Sequence, residues 1–156
     1  RGGALFTLSL PVSRPALVGR RAGTALTELF VLSLACSLLF PLLSPAIGQH
    51  YALGDAVIHS LCLFAAGTVF FSLSFLLSTV FSDVWRPLLI ALVAAGVLGL
   101  AEQLSRDAAR YGIFHVMTAE SYFRGQGLPW AGVILSGSLS GAMLYAAAGN
   151  VARHDF

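Results

Sequence analysis

Apolar residues in this chain come in four long runs separated by short polar breaks. One of them covers residues 56–82, 27 positions without a formally charged side chain, bounded by Asp55 and Asp83. As a helix it measures about 40 Å at ~1.5 Å per residue, longer than the ~30 Å hydrocarbon layer of a bilayer. The other runs complete a set of expected spans over about 22–47, 56–81, 87–104 and 128–151. Pro41 and Pro45 mark the exit or a kink of the first span. Pro87 suits the opening of the third, because proline in a first helical turn forfeits no hydrogen bond. Trp130 falls near an interface at the start of the last.

The third and fourth spans are joined by a long connection whose start near Ala101 overlaps the third span, leaving 105–127 as a loop. Glu102, Arg106 and Arg110 follow one another at four-residue spacing, and Leu104, Ala108 and Tyr111 share the opposite face. That pattern predicts a short helix at the membrane surface before the last span, or a continuation of the third span into solvent. The expected fold class is all-α: a polytopic membrane helical bundle of four transmembrane helices, forming a single transmembrane domain over 1–156.

Composition extends this reading to the whole chain. Of the 156 residues 57% are hydrophobic and only 10% charged, and the mean hydropathy is +0.83, so the apolar runs are not one anchor on a soluble domain. All nine basic residues are arginine, placed near the ends of the runs. This placement reports orientation and not nucleic-acid binding. Arg1, Arg14, Arg20, Arg21, Arg86 and Arg153 fall on one side, against Arg106, Arg110 and Arg124 on the other. The positive-inside rule then places both ends in the cytoplasm, with 48–55 and the long loop outside. The chain opens on Arg and no cleavable signal peptide is visible, so we expect the C-terminal part of a longer protein. Cys36 and Cys62 lie within apolar runs and do not report a redox compartment.

Candidate chemistry is sparse. The chain has no lysine, which excludes the phosphate-binding loop that ends in Gly-Lys-Ser or Gly-Lys-Thr. Gly137-Ser138-Leu139-Ser140-Gly141 lacks the central serine of a nucleophile elbow. It does match the Gly-x-x-x-Gly pattern by which apolar helices approach closely, and Ser136 and Ser140 extend the expected packing face with Gly137 and Gly141. His50, His59 and His115, with Met117, fall toward the outer side, at spacings that fit no compact metal-ligand motif. Phe70, Phe71 and Phe75 crowd the second span as packing or lipid-facing residues. Glu28 is the one carboxylate well inside an apolar run and so the candidate intramembrane ionisable group, read either as an interfacial partner of Arg20 and Arg21 or as a relay. Depth separates it from His59, which weakens an intramembrane enzyme built on the two.

Before the first span, residues 5–18 combine Leu8, Leu10 and Val12 around Pro11 with Ser13, Arg14 and Pro15. Such a stretch is an amphipathic element held at the headgroup layer by arginines, able to pass force from a cytoplasmic partner to the following helix. A plain stop-transfer flank has the same composition.

The run Phe6-Thr7-Leu8-Ser9-Leu10-Pro11-Val12-Ser13-Arg14, followed by Leu17-Val18-Gly19-Arg20, resembles the cytoplasmic segment of type-2 ATP-binding-cassette (ABC) exporter permeases. Gly112-Ile113-Phe114-His115, Gly127-Leu128-Pro129-Trp130 and Arg153-His154-Asp155-Phe156 are similar to that family's later segments, and the likeness covers essentially the whole chain. A second arginine would be expected where His154 stands. The resemblance implies spans three to six of a six-span permease, with small outer helices before the last span and a cytoplasmic coupling segment at 5–18. It implies that Leu8, Leu10, Pro11, Val12, Ser13 and Arg14 couple to a separate ATPase subunit. That subunit would hold the ATP and Mg, with no cofactor and no enzymatic activity on this chain. A second permease chain, as homo- or heterodimer, and membrane lipid would complete the partners, in a bacterial or archaeal plasma membrane. Against this exporter reading stands a membrane subunit that only anchors or scaffolds a complex.

Overall fold

The computed structural model describes residues 14–104 and 111–153, and among them four helices are long and apolar enough to cross a membrane. They are α1 (Arg14–Leu43), α2 (Leu53–Ser78), α3 (Trp85–Leu104) and α6 (Trp130–Arg153), with the short helices α4 (Ile113–Met117) and α5 (Glu120–Phe123) between the last two. The chain is an integral membrane protein of helical-bundle type. No strand occurs among the described residues.

Helix ends follow local chemistry. α1 reaches back to Arg14, well before residue 22 where the hydropathy places the span, so the arginines at 14, 20 and 21 ride on one helix with it. Pro41 lies inside α1 and removes one ladder donor without ending the helix. A 3-10 turn, Ser44–Ile47, then closes it, with Gly48 in the left-handed region at φ 71° donating its N–H to the carbonyl of Pro45. α3 begins at Trp85, ahead of Pro87, because the Asp83 carboxylate accepts the Arg86 N–H at 3.0 Å and also pairs with the Arg86 guanidinium.

α2 is the hub. It packs along both α1 and α6 and also meets α3 and α4. Its buried residues are Ala56, Ser60, Cys62, Ala66, Val69 and Ser72, all small or of middle size. α1 answers with Ser33 and Ser37, and α6 with Gly132, Ser136, Ser140 and Ala147. Large side chains point the other way: Leu92, Val93, Val97, Ile134 and Leu135 are all more than half exposed. This inversion of a soluble core is what lipid demands, since a leucine gains nothing by leaving hydrocarbon while small residues let backbones close up.

Buried hydroxyls are satisfied. Ser37 hydrogen-bonds His59 Nδ1 at 2.9 Å, Thr68 bonds Ser140 at 3.1 Å, and Asn150 donates to Thr79 at 3.3 Å. Among the described residues no buried side-chain nitrogen or oxygen lacks a partner. Such interhelical bonds contribute about 0.6 kcal/mol each, less than a steric mismatch at a packed contact, so close packing decides the arrangement.

The four-residue series Gly132, Ser136, Ser140 is therefore the working packing stripe of α6. A Cβ at Gly132 would collide with Val116, which is fully buried. Gly137 and Gly141 sit about 100° round the helix from that stripe and have nothing within 4 Å. The expected face thus divides: its serines pack inside the chain and its glycines do not. We expect Gly132→Ala to destabilise the bundle by about 1–3 kcal/mol through overpacking, with part of the loss restored by adding Val116→Ala. Gly137→Ala and Gly141→Ala, which only gain helix propensity of up to about 1 kcal/mol, should leave stability equal or higher. Reversible unfolding in mixed micelles reads all four.

Candidate functional site

The segment between α3 and α6 folds into the bundle end instead of lying across it. Val116 and Ala119, both fully buried, join Cys62 and Ala66 of α2 in one cluster, with Ile113, Met117, Tyr122 and Val133 packed round it. Cys62 and Ala66 lie two to four turns from Leu53, roughly 13–20 Å down the helix at ~1.5 Å per residue. Phe114 reaches further, stacking on Phe70 at 5.6 Å between ring centres. Two short helices, α4 and α5, thus precede the last span, with α4 packed against α2, α3 and α6; the helical pattern read over 102–111 falls largely on 105–110, outside the described residues.

Non-spanning backbone at such depth needs partners for its free amides. Glu102, in the last turn of α3, supplies them. Its carboxylate accepts the Phe114 N–H at 3.1 Å and the His115 N–H at 3.3 Å, at the start of α4. Gly112 makes room for this cap, because a Cβ there would overlap the Glu102 carboxyl group. Glu102, noted in the sequence for its four-residue spacing from Arg106, turns its carboxylate across to α4. Arg106 itself lies outside the described residues.

At the turn between the two short helices, Ala119 takes a left-handed conformation at φ 51°, a region costly for a residue with a Cβ. A side-chain latch closes over it: His115 Nδ1 lies 3.1 Å from Glu120 Oε2, His115 Nε2 2.6 Å from Ser121 Oγ, and Arg124 pairs with Glu120. Serine, histidine and glutamate in this order have the spacing of a hydrolytic relay. The surroundings do not complete one. The amides of Tyr122 and Phe123 are both bonded to the Ala119 carbonyl and cannot serve an oxyanion. Ser121 also does not line the adjacent cleft of about 390 Å³, whose walls are Gly99, Glu102, Gln103, Phe114, His115, Thr118 and Glu120. Together the contacts among His115, Glu120, Ser121 and Arg124 clasp the turn at Ala119.

A second tie joins α5 to α2. Tyr122 donates its hydroxyl to Asp55 at 2.9 Å. Beside it, Phe40, Tyr51, His59 and Phe123 form an aromatic group with ring centres 5.7–6.3 Å apart, which links the ends of α1 and α2 to α5.

The residues singled out in the sequence are dispersed. Leu8, Leu10, Pro11, Val12 and Ser13 lie outside the described residues, and Arg14 is the first residue of α1. Glu28 is exposed on α1 and forms no ion pair with Arg20 or Arg21, so the expected interfacial pair is absent. The turn spacing allowed that pair, but Arg21 lines a cavity nearer the helix start. His59 and His115 have separate partners, and among the described residues no three His, Cys, Asp or Glu side chains converge on a metal position. Glu102, Gly112 and Gly132 were not singled out as site residues. The signal for Gly112 and Gly132 was faint: a glycine at each edge of the buried segment.

Comparison with protein-family models, curated proteins and solved structures finds no match in any of the three.

Removing the Glu102 cap should expose its cost. Glu102→Ala leaves two amides at depth without acceptors, an expected loss of about 1–3 kcal/mol, while Glu102→Gln keeps one acceptor oxygen and should lose less. Protease cleavage within 111–129 in micelles, faster in the alanine variant, measures it. The Asp55 tie gives a pH signature. The hydrogen bond to Asp55 raises the Tyr122 hydroxyl above its ordinary 10.0, and burial and the Asp55 charge add to the shift. A raised pKa means the tie contributes fully below pH 10.0 and is lost as pH rises through the higher folded value. Alkaline unfolding should therefore begin above that pH in the wild type, with its slope reduced in Tyr122→Phe.

Proposed function

We propose that this chain is the membrane-spanning part of a permease subunit in an ATP-driven ABC exporter. It moves its substrate by alternating access, powered by a separate ATPase subunit. The observation that carries the reading is the pair α4 and α5 immediately before the last span, where the resembled family has small outer helices. The Leu-Pro-Val-Ser-Arg run at 10–14 supports it from the other end of the chain, in front of a helix that continues without a break from Arg14 to Leu43. A continuous helix transmits a push at its first turn along its whole length.

In this reading Leu8, Leu10, Pro11, Val12, Ser13 and Arg14 contact the ATPase, both ends of the chain face the cytoplasm, and the membrane is the bacterial or archaeal plasma membrane. ATP and Mg belong to the partner, and a second permease chain completes the path. Closure of the ATPase dimer shifts the spans between two packings. The unpartnered Gly137 and Gly141 of α6 favour a second reading, a non-transporting subunit that anchors a complex through that face.

Purification of the full-length gene product in nanodiscs with the ATPase encoded beside it separates the two. The exporter reading expects a stable complex with stimulated ATP hydrolysis. Leu10→Asp and Arg14→Asp should each abolish stimulation while membrane insertion is unchanged. Co-purification and hydrolysis that ignore both substitutions would remove the coupling assignment, and a chain complete at four spans with no associating ATPase would leave the anchoring subunit.

A further inference from the structure

At the end of the bundle opposite the inserted helices, a cavity of about 250 Å³ opens between three spans. Leu17, Val18 and Arg21 of α1 line it, with Phe75, Ser78 and Thr79 at the end of α2 and Val151 near the end of α6. Its size is close to the lower limit of small-molecule sites, roughly 300–1,000 Å³. It sits where the apolar spans give way to the arginine-bearing helix ends, the level of lipid headgroups.

The polar groups round this cavity are of two kinds. Arg21 forms no ion pair among the described residues, and its guanidinium offers several N–H donors. The hydroxyls of Ser78 and Thr79 have already committed their protons, each at 2.7 Å, to the carbonyls of Phe75 and Leu76. They present lone pairs only, and Thr79 uses one of its own to receive Asn150. The C-terminal ends of α2 and α6, both at this level, add partial negative charge. One side of the cavity thus suits an anion and the other a cation or donor, with apolar walls between. A lone phosphate would be drawn to Arg21 but face the acceptors unfavourably.

We propose that this cavity binds the headgroup of a phosphatidylethanolamine. The phosphodiester pairs with Arg21, the primary ammonium donates to the oxygens of Ser78 and Thr79, and the acyl chains leave past Leu17, Val18 and Phe75 into the bilayer. The site is independent of the exporter reading and of which leaflet this end faces. A free phosphoethanolamine shares the polar chemistry, but the apolar walls and interfacial level select the lipid.

The test uses full-length protein reconstituted in vesicles of equal parts phosphatidylethanolamine, phosphatidylglycerol and phosphatidylcholine. After mild detergent extraction, co-purifying lipid is counted by mass spectrometry. The expected result is enrichment of phosphatidylethanolamine over phosphatidylcholine by roughly tenfold, the scale of one hydrogen bond to a charged group. Val151→Phe, which fills the cavity and keeps the charge, should return the ratio to that of the vesicles, and Arg21→Gln, which removes the partner of the phosphodiester, should lower the amount of phosphatidylethanolamine retained. Arg20→Gln should change nothing, since Arg20 does not line the cavity. Four outcomes would overturn the proposal: no enrichment, retention undiminished by Arg21→Gln or enrichment surviving Val151→Phe, equal loss on Arg20→Gln, or phosphatidylglycerol retained in place of phosphatidylethanolamine. Displacement of the bound lipid by soluble phosphoethanolamine at equal concentration would transfer the site to the free compound.

Discussion

Four apolar helices in hydrocarbon have no water to escape, so the bundle depends on how closely α2 lets its neighbours approach. Along its buried faces α2 carries Ala56, Ser60, Cys62, Ala66 and Ser72, side chains small enough for backbone-to-backbone contact with α1 and α6 at once. Dispersion over these contacts and the fit of Gly132 against Val116 outweigh the few interhelical hydrogen bonds, each of which replaces a partner the polar group would find anyway in the unassembled helix. The serines are tolerated because they also bond backward to their own helix, as Ser72 does to Val69 and Ser140 to Ser136.

The inserted pair α4 and α5 is the costly part of this arrangement, since helices of five and four residues close few bonds of their own and rely on turn bonds and side chains for the rest. Three devices offset that cost: the Glu102 carboxylate at the start of α4, the clasp over Ala119, and the Asp55 hydrogen bond to Tyr122. Each device draws on a different part of the chain. Glu102 comes from α3, Asp55 from α2, and the clasp from the segment itself. Their combined effect is to fix the segment against two spans.

Hydropathy made the four spans legible, and their ends shifted by a few residues where capping decided, as at Asp83 before α3. The inserted helices were legible only as a connection with some helical pattern, because five residues cannot display a 3.6-residue period. Gly-x-x-x-Gly over 137–141 drew attention to a face that the chain itself leaves open. The true stripe, Gly132-xxx-Ser136-xxx-Ser140, has the same small-residue spacing and differs only by rotation about the helix. Nothing local distinguishes the two; what separates them is Val116, more than a dozen positions away in sequence. Glu102 was visible as a charge at a span end, and its role needed the tertiary placement of α4.

The two ends of the bundle are joined in different ways. At the inserted end, α1, α2, α3 and α5 are tied by aromatic contacts and carboxylates, so relative motion there would break several bonds together. At the arginine end, α1, α2 and α6 surround a cavity, and the Asn150 to Thr79 bond joins α6 to the end of α2. In the proposed exporter reading, a push at the first turn of α1 would act on the end with fewer ties, and the Glu102 cap would carry α3 with α4. Such an asymmetry is what alternating access would use, one end holding register while the other opens.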